Sequence, residues 1–386
     1  MDLVASQPIG GWVKPESAYI HIPFCRHRCG YCNFSVVANR EDLIDRYLSA
    51  IQNELSALDR PKLQTLFLGG GTPTHLSNLK IGELMKCLHS YFDLSGVAEL
   101  SIEANPEDIN VEKIACLADY GVNRISLGVQ SFQTEKLKTL ERHHSGDEAV
   151  KAVQLAADRF PNISIDLIFG APNETPRQWE NDLVTAFDLP IKHLSTYALT
   201  YEKGTQFWNQ RRRGQLTELD DSIEIEMFEM TRQKFREHNF NHYKISNFSR
   251  DESQCLHNMA YWRGEGWYAA GPGAARFVDG IREVNHRSTS NYLRKIERGE
   301  SPTQEREPIS LLQYAKERAA FGIRLLEGID LNALNEHVGF DTTELLNQAI
   351  ERSCSDGLIS WVNGRMKLSS EGILFADTVA QRILDS

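Results

Sequence analysis

The chain has 386 residues, 41% of them hydrophobic and 25% charged, enough for a large core with a smaller unit appended. Its 42 basic and 53 acidic residues give a net charge of −11, which argues against non-specific attachment to nucleic acid or to an anionic membrane surface. No run of roughly 18 apolar residues occurs, and residues 1–13 lack a basic stretch followed by an apolar core, so a cytoplasmic or otherwise reducing setting is expected.

After a short N-terminal segment, residues 1–18, the run Tyr19-Ile20-His21-Ile22 reads as a buried strand. Pro23 and Phe24 lead straight into Cys25, Cys29 and Cys32. Soft thiolates at that spacing can hold three irons of a [4Fe–4S] cluster, and with no fourth thiolate beside them one iron is left for another ligand. A structural zinc site is the competing reading. It needs four closed N or S ligands, and His21 and His27 are the nearest candidates. The remaining cysteines, Cys87, Cys116, Cys255 and Cys354, are scattered, unlike the paired framework of a secreted disulfide protein.

Further buried strands are expected at 65–68, 99–103, 124–130, 163–169 and 193–199, alternating with helical patterns at 42–58, 79–91, 111–120, 147–159 and 176–187. A short polar turn of helix fits 134–140. The alternation predicts an α/β fold: a partial parallel (βα)6 barrel over 19–200, with its chemistry where strands run into loops. The second strand ends in Gly69-Gly70-Gly71-Thr72-Pro73, which suits close approach to the backbone by a ligand or a tight turn. Glu103 and Gln130 end their strands, and Asp166 interrupts an apolar one. Buried polar groups need partners, and one polar ligand across the strand ends would serve all three.

Residues 201–306 form a connecting extension, in which Arg211-Arg212-Arg213 reads as a solvated turn and Gly271-Pro272-Gly273 as a turn back towards the barrel. From 307 to 386, helical patterns at 311–326, 331–338 and 342–352 precede two short strands around Asn363-Gly364. That order predicts a C-terminal winged-helix-like module. Without a basic stripe it suits a protein contact or a lid better than DNA.

From Tyr19 to the last turn, these ordered motifs resemble the radical S-adenosylmethionine enzymes and, within them, the oxygen-independent coproporphyrinogen III oxidase-like group. The resemblance implies that Cys25, Cys29 and Cys32 hold a [4Fe–4S] cluster whose open iron is chelated by S-adenosylmethionine. It implies that Tyr19 lies near both, that Gly70, Gly71 and Thr72 line the methionine part, that Glu103 and Arg142 meet charged or polar groups, and that Gln130 and Asp166 reach the ribose. Read from the residues alone, Arg142 is a surface arginine beside His143 and His144; for Asp166 a hydrogen-bonded core carboxylate is the alternative to ligand contact.

The oxidase has a fourth cysteine two residues after the third and a longer N-terminal arm; here Phe34 stands in that place and residues 1–18 precede Tyr19. Both features resemble the HemW-like haem chaperone subgroup, as does His257-Asn258-Met259-Ala260-Tyr261-Trp262, a His-Asn-x-x-Tyr-Trp motif. The resemblance implies haem binding, with haem as cargo, and transfer to an acceptor protein; from the acidic charge no nucleic acid partner is expected. Oxidative decarboxylation of coproporphyrinogen III through a 5′-deoxyadenosyl radical is the alternative. A homodimer and transient membrane association stay open. Physically, His257 could ligate iron while Asn258, Tyr261, Trp262, Trp267 and Tyr268 surround a porphyrin face, with Cys255 a weaker ligand candidate; the same residues could equally form a packed corner.

Overall fold

Six parallel strands lie side by side in chain order: β1 (Ser17–Ile22), β2 (Thr65–Gly70), β3 (Glu99–Ala104), β4 (Arg124–Gln130), β5 (Asn162–Phe169) and β6 (His193–Ala198). These come from a computed structural model that describes residues 7–386, so residues 1–6 of the expected N-terminal segment lie outside the described residues. The strands form where apolar side chains occupy both faces, with Ile20 beside Leu68, Leu66 beside Leu100 and Leu127 beside Ile165. Crossovers run through α1 (Ile44–Leu55), α2 (Asn78–Tyr91), α3 (Val111–Asp119), the short α4 (Thr134–Thr139), α5 (Gly146–Ala157) and α6 (Pro176–Phe187). Reciprocal capping by Ser145 with Glu148 and by Thr175 with Gln178 fixes the starts of α5 and α6, each cap contributing about 1 kcal/mol.

The sheet is larger than the six expected strands. The extension supplies β7 (Asn241–Lys244) and β8 (Asn247–Ser249), antiparallel at the β6 edge, and β9 (Tyr268–Ala270), parallel to β1 at the other edge. The nine strands remain an open sheet, consistent with a partial barrel. Strands of three or four residues carry too little alternation to be read in advance. The 17-residue helix Asp221–Glu237 was likewise not foreseen; its Thr231 hydroxyl accepts from Trp179 Nε1 on α6 at 2.8 Å.

Beyond the sheet, Ala275–Val278, Ile281–Asn285 and Thr303–Pro308 form an antiparallel trio, and the last of these runs across the expected 306/307 boundary. A second hydrophobic cluster spans Phe277 to Ile383. In it the expected helix 311–326 stops at Gly322, and the expected helix 342–352 divides into Thr342–Leu345 and Asn347–Ser355 at the buried Leu346. The hairpin forms as expected from Ile359–Val362 and Arg365–Leu368, with Asn363 (φ 52°) and Gly364 (φ 77°) both left-handed as a two-residue turn requires. Among the described residues no helix is long and apolar enough to cross a membrane.

Candidate functional site

Directly after β1, Cys25 ends the first of two short paired segments, Phe24–Cys25 and Val37–Ala38, and Cys29 and Cys32 sit in the loop between them. The glycine edge after β2 locks onto the start of that loop: Gly71 N–H donates to Ile22 O at 2.8 Å and Thr72 N–H to Phe24 O at 2.7 Å. Side chains would not fit here. A Cβ on Gly70, whose φ is +111°, would lie 2.5 Å from the His21 ring, and one on Gly71 2.6 Å from Phe24 O. The close approach that the glycines signal is therefore met, on that side, by the chain's own atoms. The far end of the loop rests on the helix Gln206–Arg212, where Phe207 N–H donates to Gly30 O at 2.9 Å and the Phe207 ring fills the space a side chain on residue 30 would need.

Two of the three thiols are joined by a ring of polar contacts. Cys25 Sγ lies 3.6 Å from the Thr72 hydroxyl, Asn105 Nδ2 donates to that hydroxyl at 3.1 Å, and Arg142 Nη2 donates to Asn105 Oδ1 at 2.6 Å and to Gly128 O at 2.9 Å. Arg142 Nη1 then reaches Cys29 Sγ at 3.6 Å. Arg142 is thus part of the thiol site, not a surface arginine, and its buried Nε has no partner among the described residues. A guanidinium with spare donors beside thiols suits an anionic iron–sulfur cluster. Burial pushes the Cys25 thiol up to about 12, so a metal must displace its proton for the sulfur to bind. The zinc reading gains no support. Among the described residues no three His, Cys, Asp or Glu side chains gather around a point that one ion could occupy. The His21 ring nitrogens are taken by Tyr19 OH at 2.9 Å and Ser35 O at 2.8 Å, and His27 lies 3.5 Å from Glu141.

Deeper along the strands, Glu103 Oε2 accepts from Gly70 N–H at 2.9 Å and Asp166 accepts from the Ser126 hydroxyl at 3.3 Å. Neither carboxylate has an ion-pair partner among the described residues. Burial raises both, and pushes Glu103 up to about 7, with Asp166 adding to the rise and the Gly70 N–H opposing it. Two under-compensated carboxyls suit a ligand rich in hydroxyl or cationic groups. Gln130 closes β4 at φ 65°, a left-handed backbone costing about 1–3 kcal/mol, of the kind concentrated at binding sites. Tyr19 lies between the two ends, its ring 6.5 Å from His257.

The raised Glu103 carries a pH signature. Its folded-state pKa lies above that of an unfolded glutamate, so the stability it confers is full below about pH 4.5 and is lost as the pH rises to about 7. Glu103→Gln is expected to flatten the ligand-free protein's Tm-versus-pH curve across that window. Superimposable curves for the two proteins would refute the assignment.

The His-Asn-x-x-Tyr-Trp motif lies at the opposite end of the strands. Glu99, the first residue of β3, accepts from Leu256 N–H at 2.9 Å, His257 N–H at 3.1 Å and the Cys255 thiol at 3.4 Å. Arg124, the first residue of β4, donates to Ser253 O at 3.0 Å and lies 3.8 Å from Glu99. The helix Leu256–Trp262 thereby plugs the strand-start end of the sheet. His257 is 1% exposed, Nδ1 is 2.9 Å from Thr65 Oγ1, Nε2 is 2.6 Å from Tyr261 OH, and the ring stacks on Phe67. Both nitrogens are hydrogen-bonded within the chain, so iron would have to displace Thr65 or Tyr261 to reach either one. Asn258 is half-buried on the same helix, and the Trp262 ring carries Lys244 Nζ at 4.6 Å and the Arg324 guanidinium at 5.5 Å from its centroid.

Sequence reasoning missed Asn105, although it follows a strand end and precedes a proline, and it missed Glu99 and Arg124, which look like ordinary strand-end surface charges. A family model for the radical SAM superfamily matches residues 19–185, and one for the HemN C-terminal domain matches residues 309–375. The chain is 32% identical over 370 residues to Heme chaperone HemW of Bacillus subtilis (strain 168), covering 94% of this chain and 98% of that protein. It is 33% identical over 292 residues to Heme chaperone HemW of Escherichia coli (strain K12), covering 73% and 76%. Radical S-adenosyl methionine domain-containing protein 1, mitochondrial, of Danio rerio is 29% identical over 401 residues, covering 99% of this chain and 89% of that protein. Among solved structures, coproporphyrinogen III oxidase (HemN) from Escherichia coli superposes with a TM-score of 0.84 at 21% identity, covering 96% of this chain and 90% of that one, which is a likeness of fold.

Proposed function

This chain belongs to the HemW family within the radical SAM superfamily, and on that footing we propose that it is a haem chaperone, binding haem and passing it to an acceptor protein. The carrying observation is the full-length kinship with proteins named Heme chaperone HemW, at about a third identity. Phe34 supports it: at the position of the oxidase's fourth cysteine stands a 63% exposed phenyl ring, which has no thiolate to offer.

In this reading Cys25, Cys29 and Cys32 hold a [4Fe–4S] cluster and S-adenosylmethionine takes its open iron, where the pair can supply one-electron reductive chemistry. Arg142 offsets the negative charge at Cys29 and, through Asn105 and Thr72, holds the Cys25 side of the loop in register. Glu103 and Asp166 accept from the cofactor's donors, and Gln130, Tyr19, Thr72 and the backbone of Gly70 and Gly71 complete the lining. None of the seven cysteines is in a disulfide, which suits a reducing, cytoplasmic setting.

Anaerobic reconstitution with iron and sulfide, followed by haem titration and a parallel coproporphyrinogen III assay, tests the reading. Stoichiometric haem binding without porphyrinogen consumption is expected, and Cys25→Ala is expected to lose the iron–sulfur absorbance. Consumption of coproporphyrinogen III by the wild type would replace the chaperone reading with the oxidase.

A further inference from the structure

The contacts at the two ring nitrogens of His257 are not equivalent. On the Nδ1 side stand two hydroxyls from a cross-strand pair: Ser17, the first residue of β1, lies beside Thr65, the first residue of β2, and both are buried. The Thr65 hydroxyl donates to Ser17 Oγ at 2.9 Å. A hydroxyl has one proton to give, so towards His257 Nδ1, also 2.9 Å away, Thr65 is the acceptor. The imidazole proton is thereby placed on Nδ1, and burial keeps the ring neutral by pushing its pKa down to about 3. Nε2 is left with its lone pair, which accepts from the Tyr261 hydroxyl at 2.6 Å.

The two partners also differ in how easily they leave. Thr65 is β-branched and pinned in the sheet, its N–H donating to Glu16 O at 3.1 Å. Two residues along the same strand, Phe67 stacks on the imidazole with centroids 5.1 Å apart, and Glu99 on β3 accepts from the His257 N–H, so ring and backbone are both referred to the sheet. Tyr261 instead sits one turn along the seven-residue plug helix, its ring edge-on to His257 at 4.9 Å and to Trp267 at 4.7 Å. Among the described residues its hydroxyl has no hydrogen bond besides the one to Nε2. Turning one side chain therefore uncovers Nε2, whereas uncovering Nδ1 means moving a strand.

Resting on the haem-chaperone reading, we propose that Ser17 and Thr65 are positioning residues that hold His257 in the tautomer whose Nε2 lone pair meets the haem iron, and that the Tyr261 hydroxyl caps that lone pair until haem arrives. On binding, an iron–Nε2 bond forms and the Tyr261 O–H···Nε2 hydrogen bond breaks. No proton is transferred, because Nδ1–H stays on Thr65 and Tyr261 keeps its own. The exchange costs one hydrogen bond and leaves the ring's orientation set by the sheet, as a ligating imidazole needs when its second nitrogen is held by a neighbour. The motif tyrosine and histidine are then one unit, and its fixed half lies in β1 and β2, far outside the motif.

Two measurements on the full-length protein test this, the first without haem. With isotope-labelled histidine read by NMR, the His257 signals, identified by their loss in His257→Gln, are expected to show the Nδ1–H tautomer. Thr65→Val is expected to shift that population towards Nε2–H, and Thr65→Ser to restore it. In haem titrations followed by the Soret and ligand-sensitive visible bands, Thr65→Val is expected to bind about tenfold more weakly and Thr65→Ser like the wild type. Tyr261→Phe, which removes the cap and keeps the ring, is expected to bind about three- to tenfold more tightly with the wild-type axial bands. An Nε2–H tautomer in the wild type, or an unchanged tautomer in Thr65→Val, overturns the role of the hydroxyl pair. Binding by Tyr261→Phe that is no tighter than the wild type's overturns the cap. Both outcomes leave the chaperone reading standing, whereas a wild type that binds no haem overturns that reading itself.

Discussion

Glu99→Ala is expected to lower folding stability by about 3–5 kcal/mol, because it removes one partner of a buried ion pair and strands several donors at once. Arg124, 3% exposed, would keep its charge with only the Ser253 carbonyl as partner, and the N–H groups of Leu256 and His257 would lose their acceptor at the start of the plug helix. Denaturant titration measures the effect as a lower midpoint at unchanged slope. Glu99→Gln should recover part of the loss, since an amide oxygen still accepts one N–H but cannot neutralise Arg124. A loss below about 1 kcal/mol for the alanine variant would mean that water reaches Arg124 and the strand-start end is not sealed.

Lys136→Met is the second large effect, expected at about 3–5 kcal/mol by the same physics. Lys136 on α4 pairs with Glu174 and, at 3.0 Å, with the fully buried Asp182 on α6, which also accepts from the Ser131 hydroxyl and Phe132 N–H just after β4. Without the ammonium, two buried carboxylates face each other uncompensated. The damage should spread to the thiol site, because Arg142 is seated by its N–H to Leu137 O, one residue along the same helix. Expected together are a lower denaturation midpoint and a smaller fraction of protein retaining a reconstituted cluster. Adding Asp182→Asn should restore part of the stability. If the double variant is no better than Lys136→Met, the lysine is not the counter-charge for Asp182.

The strands that carry the site were legible because their signal is local. Runs such as Ile163 to Phe169 bury both faces, and a parallel strand with helices on either side must be apolar throughout. Cys25, Cys29 and Cys32 were legible for the same reason, since one loop supplies all three. What depended on distant partners was not. Nothing near Lys136 in sequence tells that two acids wait 38 and 46 residues on. Glu99 and Arg124 at strand starts look solvated until residues 253–257 fold beneath them. His257 illustrates the limit most clearly: a histidine beside tyrosine and tryptophan fits a metal ligand or a core contact equally well, and Thr65, the partner of its Nδ1, lies 192 residues away. The glycine run signalled close approach correctly but could not say that Phe24 and His21 are what approaches.

The parallel pairing of Tyr19 with Ala269 bears on how the chain is made. β1 is the first strand of the sheet to leave the ribosome and the last to gain its outer neighbour. Throughout synthesis of the intervening residues its free edge, flanked by Ile20 and Ile22, offers unpaired backbone groups to any other extended segment. Contacts so far apart in sequence close slowly, and half-made sheets of this kind are prone to join one another. The nascent protein is thus most exposed to misassembly in the interval between completing β6 and releasing β9. The segment that ends this interval is contiguous with the plug helix, so closure of the strand-start end and capping of the first strand are achieved by one stretch of chain arriving together.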